Sequence, residues 1–223
     1  MNWIRKNGGW MTVVIIGLLP FIGVMDIFNI DFSGSGESWI SIKTFTVPAR
    51  RAGELPREVS GAHIAVKETG EWAIRWLVFV LSLTPFSILT GIKSRLYVRQ
   101  AAGIIAFVYA GFHLVFFCID RSLIETFKEF GYIMGFVATL IMLVLAVTSN
   151  RKSMKFLRKT WKKIHQTAYL AGLLAVLHVA LLKHGDWIPY VIILVAGFLL
   201  RLSIVRQAIS KLRIRKTLVS AAP

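Results

Sequence analysis

Continuous apolar runs dominate the hydrophobic and polar pattern of this 223-residue chain. Each run approaches or passes the roughly 18–20 residues that a helix needs to cross the hydrocarbon core of a bilayer. The runs do not alternate, which excludes a transmembrane barrel and predicts an all-α membrane protein, a six-transmembrane-helix bundle. The predicted spans are residues 10–28, 72–92, 100–119, 131–148, 164–182 and 187–205.

The segments between these runs predict one domain over residues 1–223. Residues 29–71 contain two prolines and the glycine-rich stretch DFSGSGES, and they predict an irregular or partly helical external loop. Residues 183–186 predict a tight turn, and no internal repeat is evident. The first run could also be a signal peptide, but its length and the lack of a clear small-residue cleavage site favour a retained helix.

Charge separates the segments outside the predicted spans into two groups. The N-terminal head, residues 93–99, residues 149–163 and the C-terminal tail carry 17 basic residues and no acidic ones, whereas all 11 acidic residues fall elsewhere. Basic loops face the cytoplasm, so both termini are predicted to be cytoplasmic in a multi-pass protein of the bacterial inner membrane. The net charge of +16 therefore indicates orientation signals and contacts with anionic lipids rather than binding to nucleic acid.

Three histidines lie inside the predicted spans. His165 and His178 are thirteen residues apart, so their depths differ by about 20 Å on broadly one side of a helix. His113 follows Arg99 by fourteen residues, about 21 Å along a helix of the same direction, and therefore lies at the depth of His178. Two neutral imidazoles at one depth can supply both axial ligands of a heme iron. A partner for His165 is expected near positions 99 and 100, which hold Arg99 and Gln100. Neither side chain is a good heme ligand, so the sequence supports at most half of a second, inner heme site.

Four other residues carry expectations of their own. Arg75, at the outer start of the second span, either pairs with a heme propionate or extends to the membrane surface. Pro85 predicts a bend and a freed carbonyl in the same span. Arg201 is expected to extend toward the nearer interface. Cys118 is the single cysteine, which excludes an internal disulfide and a cysteine-held metal centre.

Three stretches resemble the MsrQ, or YedZ, family. They are TGEWAIRWLVFVLSLTPF (69–86), GIIAFVYAGFHL (103–114) and WKKIHQTAYLAGLLAVLH (161–178), and the similarity covers roughly residues 10–205. This family is the heme-binding membrane subunit of the bacterial methionine sulfoxide reductase system, within the wider ferric-reductase-like transmembrane group. By position, His113, His165 and His178 match the intramembrane histidines of the family.

The resemblance implies a b-type cytochrome with one or two hemes b and with FMN as a further cofactor. It would carry electrons across the inner membrane, from a flavin reductase or the quinone pool to a periplasmic molybdopterin-containing methionine sulfoxide reductase. One feature departs from the family pattern. Lys67, in KETG, stands where many relatives have a histidine, and His63, one turn upstream, is the substitute to consider. His63 and His184 otherwise lie in loops that are expected to be solvated.

Two other functions compete with this interpretation. One is a small transporter or assembly factor whose histidines bind a metal ion or only pack. The other is a stand-alone metalloreductase that reduces ferric or cupric complexes at the outer face. The chain has no GxGxxG after a strand, no P-loop and no HExxH motif, so a bound nicotinamide site is not expected and NAD(P)H would act through another protein.

Overall fold

The computed structural model describes residues 2–30, 39–48, 55–92, 94–182 and 187–220. Helices predominate in this part of the chain. They are α1 (Asn2–Leu18), α2 (Phe21–Met25), α3 (Gly61–Thr90), α4 (Leu96–Asp120), a 3₁₀ helix (Leu123–Phe127), α5 (Phe130–Thr148), α6 (Arg151–Leu157), α7 (Lys159–Gln166), α8 (Ala168–Leu181), α9 (Ile188–Leu199) and α10 (Ser203–Ser220). The strands are β1 (Phe28–Ile30), β2 (Ile40–Ile42), β3 (Thr44–Val47) and β4 (Arg57–Ser60).

Four of the described helices are long and apolar enough to cross a membrane. They are α3, α4, α5 and the continuous helix Lys159–Leu181 formed by α7 and α8. Helices α9 and α10 make a fifth candidate, although an 80° bend separates them. The chain is therefore a mostly helical, multi-pass membrane protein, and the described residues show four or five candidate spans where the sequence predicted six.

The first apolar run is not one helix, which corrects the predicted span 10–28. Helix α1 ends at Leu18, and Pro20 stands two residues later, where its ring and missing N–H interrupt the helical ladder. Strand β1 already begins at Phe28. The fully buried Tyr109 of α4 donates a hydrogen bond from its hydroxyl to the Gly17 carbonyl oxygen at 3.1 Å, which fixes the end of α1 against the bundle.

The predicted loop 29–71 contains two antiparallel hairpins and the first turns of α3, so neither the all-α class nor the loop's limits are correct in detail. Strand β1 pairs with β2, and β3 pairs with β4. Lys43 joins the hairpins, since its N–H donates to Ile27 and its carbonyl accepts from Gly61, both at 2.8 Å. Helix α3 starts eleven residues before the predicted position 72, where the Ser60 hydroxyl caps it by accepting from the Ala62 N–H. Residues 31–38, 49–54 and the predicted turn 183–186 lie outside the described residues.

Small residues let the central helices approach one another closely. Helix α3 packs along α4, and α5 packs along α8. Alanines on the inner face of α4 are almost completely buried, and close helix contact in membranes depends on such small side chains. The main core cluster consists of Leu77, Leu81, Ala106, Ala110, Met142 and Ala171.

Arg201 completes a hydrogen bond that Pro85 removes. Pro85 lies inside α3 and has no N–H, so the carbonyl of Leu81, four residues earlier, has no helical donor. Arg201 follows α9 and donates from Nη2 to the Leu81 oxygen at 2.6 Å, while its guanidinium lies 4.7 Å from the ring centre of Tyr169. The expectation that Arg201 extends to the interface is therefore wrong, because the freed carbonyl binds it inside the bundle.

We expect Arg201→Met to lower the free energy of unfolding by about 1–3 kcal/mol, the cost of a buried acceptor without a partner. Pro85→Ala restores the missing N–H, so Arg201→Met should cost clearly less in that background. Unfolding of the four proteins of this double-mutant cycle in detergent measures the difference. An equal cost in both backgrounds would contradict the link between Pro85 and Arg201.

Candidate cofactor site

The structure brings His113 of α4 and His178 of α8 together. Their ring centres are 6.0 Å apart and their ring planes are nearly perpendicular, at 82°. Both histidines line one cavity, together with residues of α5 and the 3₁₀ helix. The two residues are 65 positions apart in sequence, so only the packing of the bundle brings their rings together.

Each of these histidines is oriented by a backbone carbonyl of a neighbouring helix, His113 by α3 and His178 by α5. Nδ1 of His113 lies 2.8 Å from the Val66 oxygen, and Nδ1 of His178 lies 2.8 Å from the Gly131 oxygen. A carbonyl oxygen only accepts, so each Nδ1 carries the proton and each Nε2 carries the lone pair. This is the tautomer of a metal-binding imidazole, in which the second nitrogen fixes the orientation of the ring.

A glycine faces each imidazole one helical turn beyond the carbonyl that orients it. A Cβ atom at Gly70 would lie 2.8 Å from Nδ1 of His113, and a Cβ atom at Gly135 would lie 2.7 Å from Nδ1 of His178. Both distances are too short for a side chain. The missing side chains therefore let each ring lie against the neighbouring backbone.

These two arrangements form an internal repeat that sequence analysis missed. Every member of the second set follows its counterpart by 65 positions: 66 and 131, 70 and 135, 113 and 178. The pair α3–α4 and the pair α5–α8 thus present their histidines in the same way. By the same offset, the counterpart of His165 is Gln100, which donates to the Met154 sulfur at 3.6 Å.

The residues of this cavity fit an iron porphyrin. Imidazole nitrogens bind first-row transition metals at about 2 Å, so two axial imidazoles have ring centres about 6 Å apart. Edge-to-face packing alone would give a similar separation. The oriented Nδ1 atoms and the two glycines are additional features that a simple packing contact does not need. The described residues contain no group of three or more His, Cys, Asp or Glu side chains suited to a bare metal ion. Two imidazoles suffice for a porphyrin iron, since the macrocycle supplies four nitrogens.

His165 lies apart from this cavity. Its Nε2 is 3.1 Å from the Thr148 hydroxyl, and its ring stacks on Trp161 with 4.0 Å between ring centres. The structure thus gives this side chain a polar partner and an aromatic neighbour on the cytoplasmic side of the predicted topology. Ligation of an inner cofactor by His165 stays a prediction.

Arg75 is not among the residues that line the cavity. Its guanidinium donates to Glu71, one turn earlier on α3, at 2.7 Å and lies 4.9 Å from the ring centre of Trp72.

His63, which was considered as a substitute for the histidine that Lys67 replaces, also has a partner. Its Nδ1 lies 3.2 Å from Asp120, so His63 is not simply solvated.

Sequence analysis did not identify Gly70, Gly135, Thr126 and Tyr132 as residues of the site. One signal was present: Gly131 and Gly135 form a pair of small residues one turn apart, a pattern that marks close helix packing in membranes. Thr126 and Tyr132 carried no such signal, because they belong to a short loop and to the start of a span.

The sequence profile described as "Ferric reductase like transmembrane component" matches residues 69–181. This range is half of the chain and contains both histidines of the pair, both facing glycines and His165. The chain belongs to this family. The match begins inside α3 and ends at the last residue of α8, so it covers the four helices that build the candidate site.

Several curated proteins that are similar to this chain carry the name "Protein-methionine-sulfoxide reductase heme-binding subunit MsrQ". Proteins of Xanthomonas oryzae pv. oryzae (strain MAFF 311018) and Xanthomonas campestris pv. campestris (strain 8004) are each 37% identical over 125 residues, which is 53% of this chain and 57% of the relative. The protein of Bordetella pertussis (strain Tohama I) is 34% identical over 119 residues, 50% of this chain and 58% of the relative. The resemblance to the MsrQ family is confirmed, although the match spans less than two thirds of each relative. No solved structure matches the chain.

Proposed function

We propose that the chain is a transmembrane b-type cytochrome that binds heme b between His113 and His178. The single observation that carries the proposal is the paired geometry of these two imidazoles, 6.0 Å apart, each with Nδ1 held by a carbonyl. The name of the relatives, which calls them heme-binding subunits, supports the same cofactor. When bound, the heme supplies reversible one-electron transfer.

The protein's own contribution to this function is to hold and orient the cofactor. The carbonyls of Val66 and Gly131 fix the imidazole planes, which limits rearrangement when the charge of the site changes. Apolar side chains such as Leu114, Phe117 and Phe136 line the rest of the cavity and keep its dielectric constant low. The proposal needs no acid–base group in this chain, because the sulfoxide chemistry would take place on a partner.

The electron path in this proposal crosses the bacterial inner membrane outward. A cytoplasmic flavin reductase or the quinone pool donates electrons, and a periplasmic molybdopterin-containing methionine sulfoxide reductase accepts them for the repair of oxidised proteins. The name of the relatives supports a methionine sulfoxide reductase system, and the charge of the loops supports cytoplasmic termini. His165 would serve the cytoplasmic end of the path, at a second heme or at FMN.

A stand-alone metalloreductase is the second candidate function. The family description names ferric reductases, and the same pair of imidazoles would suit electron delivery to a ferric or cupric complex at the outer face. The two candidates share the heme and differ only in the acceptor. Oxidation of the dithionite-reduced protein by a purified methionine sulfoxide reductase partner, compared with oxidation by ferric citrate, separates them.

Optical and EPR spectra of the purified membrane protein test the proposal. We expect a Soret band that shifts on reduction with dithionite, with the sharp α-band of a low-spin b-type heme. Because the imidazole planes are 82° apart, the ferric protein should give the strongly anisotropic low-spin EPR signal of perpendicular axial ligands. A protein that binds no heme, or binds it only in a high-spin state, would refute the proposed function.

A further inference from the structure

A short 3₁₀ helix, Leu123–Phe127, closes one end of the cavity that contains the two histidines. Its apolar side chains point away from the bundle, since Ile124 is 72% exposed and Phe127 is 61% exposed. Thr126 is the exception, because it is only 2% exposed and lines the cavity. The segment therefore turns Thr126 inward and its apolar side chains outward, while its other polar residue, Glu125, pairs with Lys128.

The Thr126 hydroxyl is a buried polar group without a hydrogen-bond partner among the described residues. Such a group costs about 1–3 kcal/mol when it stays unsatisfied, so folded proteins seldom keep one without a purpose. By contrast, Thr69 and Thr148 of the spans donate from their hydroxyls to carbonyls of their own helices. Thr139, which lines the same cavity, donates to the Gly135 oxygen at 2.9 Å.

A second hydroxyl and a cation lie at the same end of the cavity. Tyr132 lines the cavity from the first turn of α5, and its hydroxyl lies 3.5 Å from Nη1 of Arg121. Arg121 is half exposed, and its Nε is 3.8 Å from the Asp120 carboxylate, which also contacts His63. Asp120 offsets part of the positive charge of Arg121. An anion at this end of the cavity would therefore need the hydroxyl donors as well as the guanidinium.

We propose that Thr126, Tyr132 and Arg121 bind the carboxylate edge of the heme. The inference rests on the proposed function, since it assumes heme between His113 and His178. The carboxylates are the anionic groups of this otherwise apolar cofactor, and the hydroxyl of Thr126 can donate to one of them. The heme is thereby oriented with its carboxylates toward the 3₁₀ helix. Arg121 lies beside the cavity-lining Tyr132 hydroxyl, whereas Arg75 contacts Glu71 and Trp72, neither of which lines the cavity.

Reconstitution with heme and with heme dimethyl ester tests this orientation. The ester keeps the iron and the macrocycle but cannot accept hydrogen bonds as a carboxylate does. The wild-type apoprotein should bind heme at least about tenfold more tightly than the ester, because hydrogen bonds to charged groups are worth about 1.5–3 kcal/mol. Thr126→Val should lower this ratio several-fold by weakening heme alone, whereas Thr126→Ser should keep it.

Thr139→Val is the matched control, since it removes a hydroxyl from the same cavity that is already bonded to its own helix. Arg121→Gln provides a second variant on an exposed side chain, in case Thr126→Val folds poorly, and should lower the ratio several-fold. A Thr126→Val protein with the wild-type ratio and the bis-histidine spectrum would overturn the inference and leave the proposed function intact. A wild-type protein that binds neither porphyrin with low-spin iron would overturn both.

Discussion

Replacing His113 or His178 by Ala is expected to abolish the low-spin bis-histidine signal. Each substitution removes one of the two axial ligands, and the remaining imidazole can hold the iron only in a five-coordinate, high-spin state. The ring centres of His113 and His178 are 6.0 Å apart, a distance at which the two imidazoles can bind one iron from opposite sides. Optical and EPR spectra of the purified variants, at equal protein concentration, measure the loss.

His165→Ala is the matched control for these variants, because His165 lies outside the cavity and contacts Thr148 and Trp161. It should leave the signal of the outer site unchanged, and any decrease in heme per protein would report a second, inner heme. Added imidazole should restore a low-spin spectrum to His178→Ala by entering the space that the side chain leaves. Wild-type spectra from both His113→Ala and His178→Ala would exclude these residues as ligands.

Gly135→Ala is expected to weaken heme binding by at least about tenfold without removing either ligand. The added methyl group would lie 2.7–3.0 Å from three ring atoms of His178, so the imidazole must move away from the Gly131 carbonyl that orients it. Gly70→Ala should act in the same way on His113, with a smaller effect, because the third ring atom there lies at 3.7 Å rather than 3.0 Å. Titration of the apoproteins with heme measures both changes.

Gly103→Ala and Gly111→Ala are matched controls in the same bundle. Both glycines lie in α4, and a Cβ atom there would meet nothing within 4 Å. These substitutions should leave heme affinity unchanged and stabilise α4 slightly, since alanine favours the helical backbone. Equal losses of affinity in all four glycine variants would show that general helix packing, rather than the contact with each imidazole, explains the effect.

The sequence was sufficient to predict the meeting of His113 and His178, because helical rise and loop charge fix the depth of a residue in a membrane. It could not predict the 65-residue repeat, because the two halves share only the glycine and the histidine of each arrangement and differ at most other positions. Tyr109, for example, corresponds to Leu174, and Gln100 corresponds to His165. The repeat consists of two backbone carbonyls, which any residue can supply, and two glycines, whose role depends on the imidazole that each one faces.

The errors at the ends of the bundle have a different cause. Composition measures how apolar a segment is, but Pro20 decides where α1 stops and Ser60 decides where α3 starts. The position of Arg201 was predicted wrongly because its acceptor, the Leu81 carbonyl, lies 120 positions away. That carbonyl lacks a helical donor only because of Pro85, which belongs to another helix. Thr126 could not be recognised for a similar reason, since the cavity that it lines is formed by α4, α5 and α8, and α8 is distant in sequence.

In the proposed cytochrome, one iron shared by two pairs of helices would also constrain how the protein is made. Helices α3 and α4 precede α8 in the chain, so His113 is synthesised well before His178. The ligand set is completed only when the last residues of the second pair arrive. Heme loading should therefore be a late, post-insertional event that locks the two pairs together, and cells starved of heme should accumulate an inserted but protease-sensitive form.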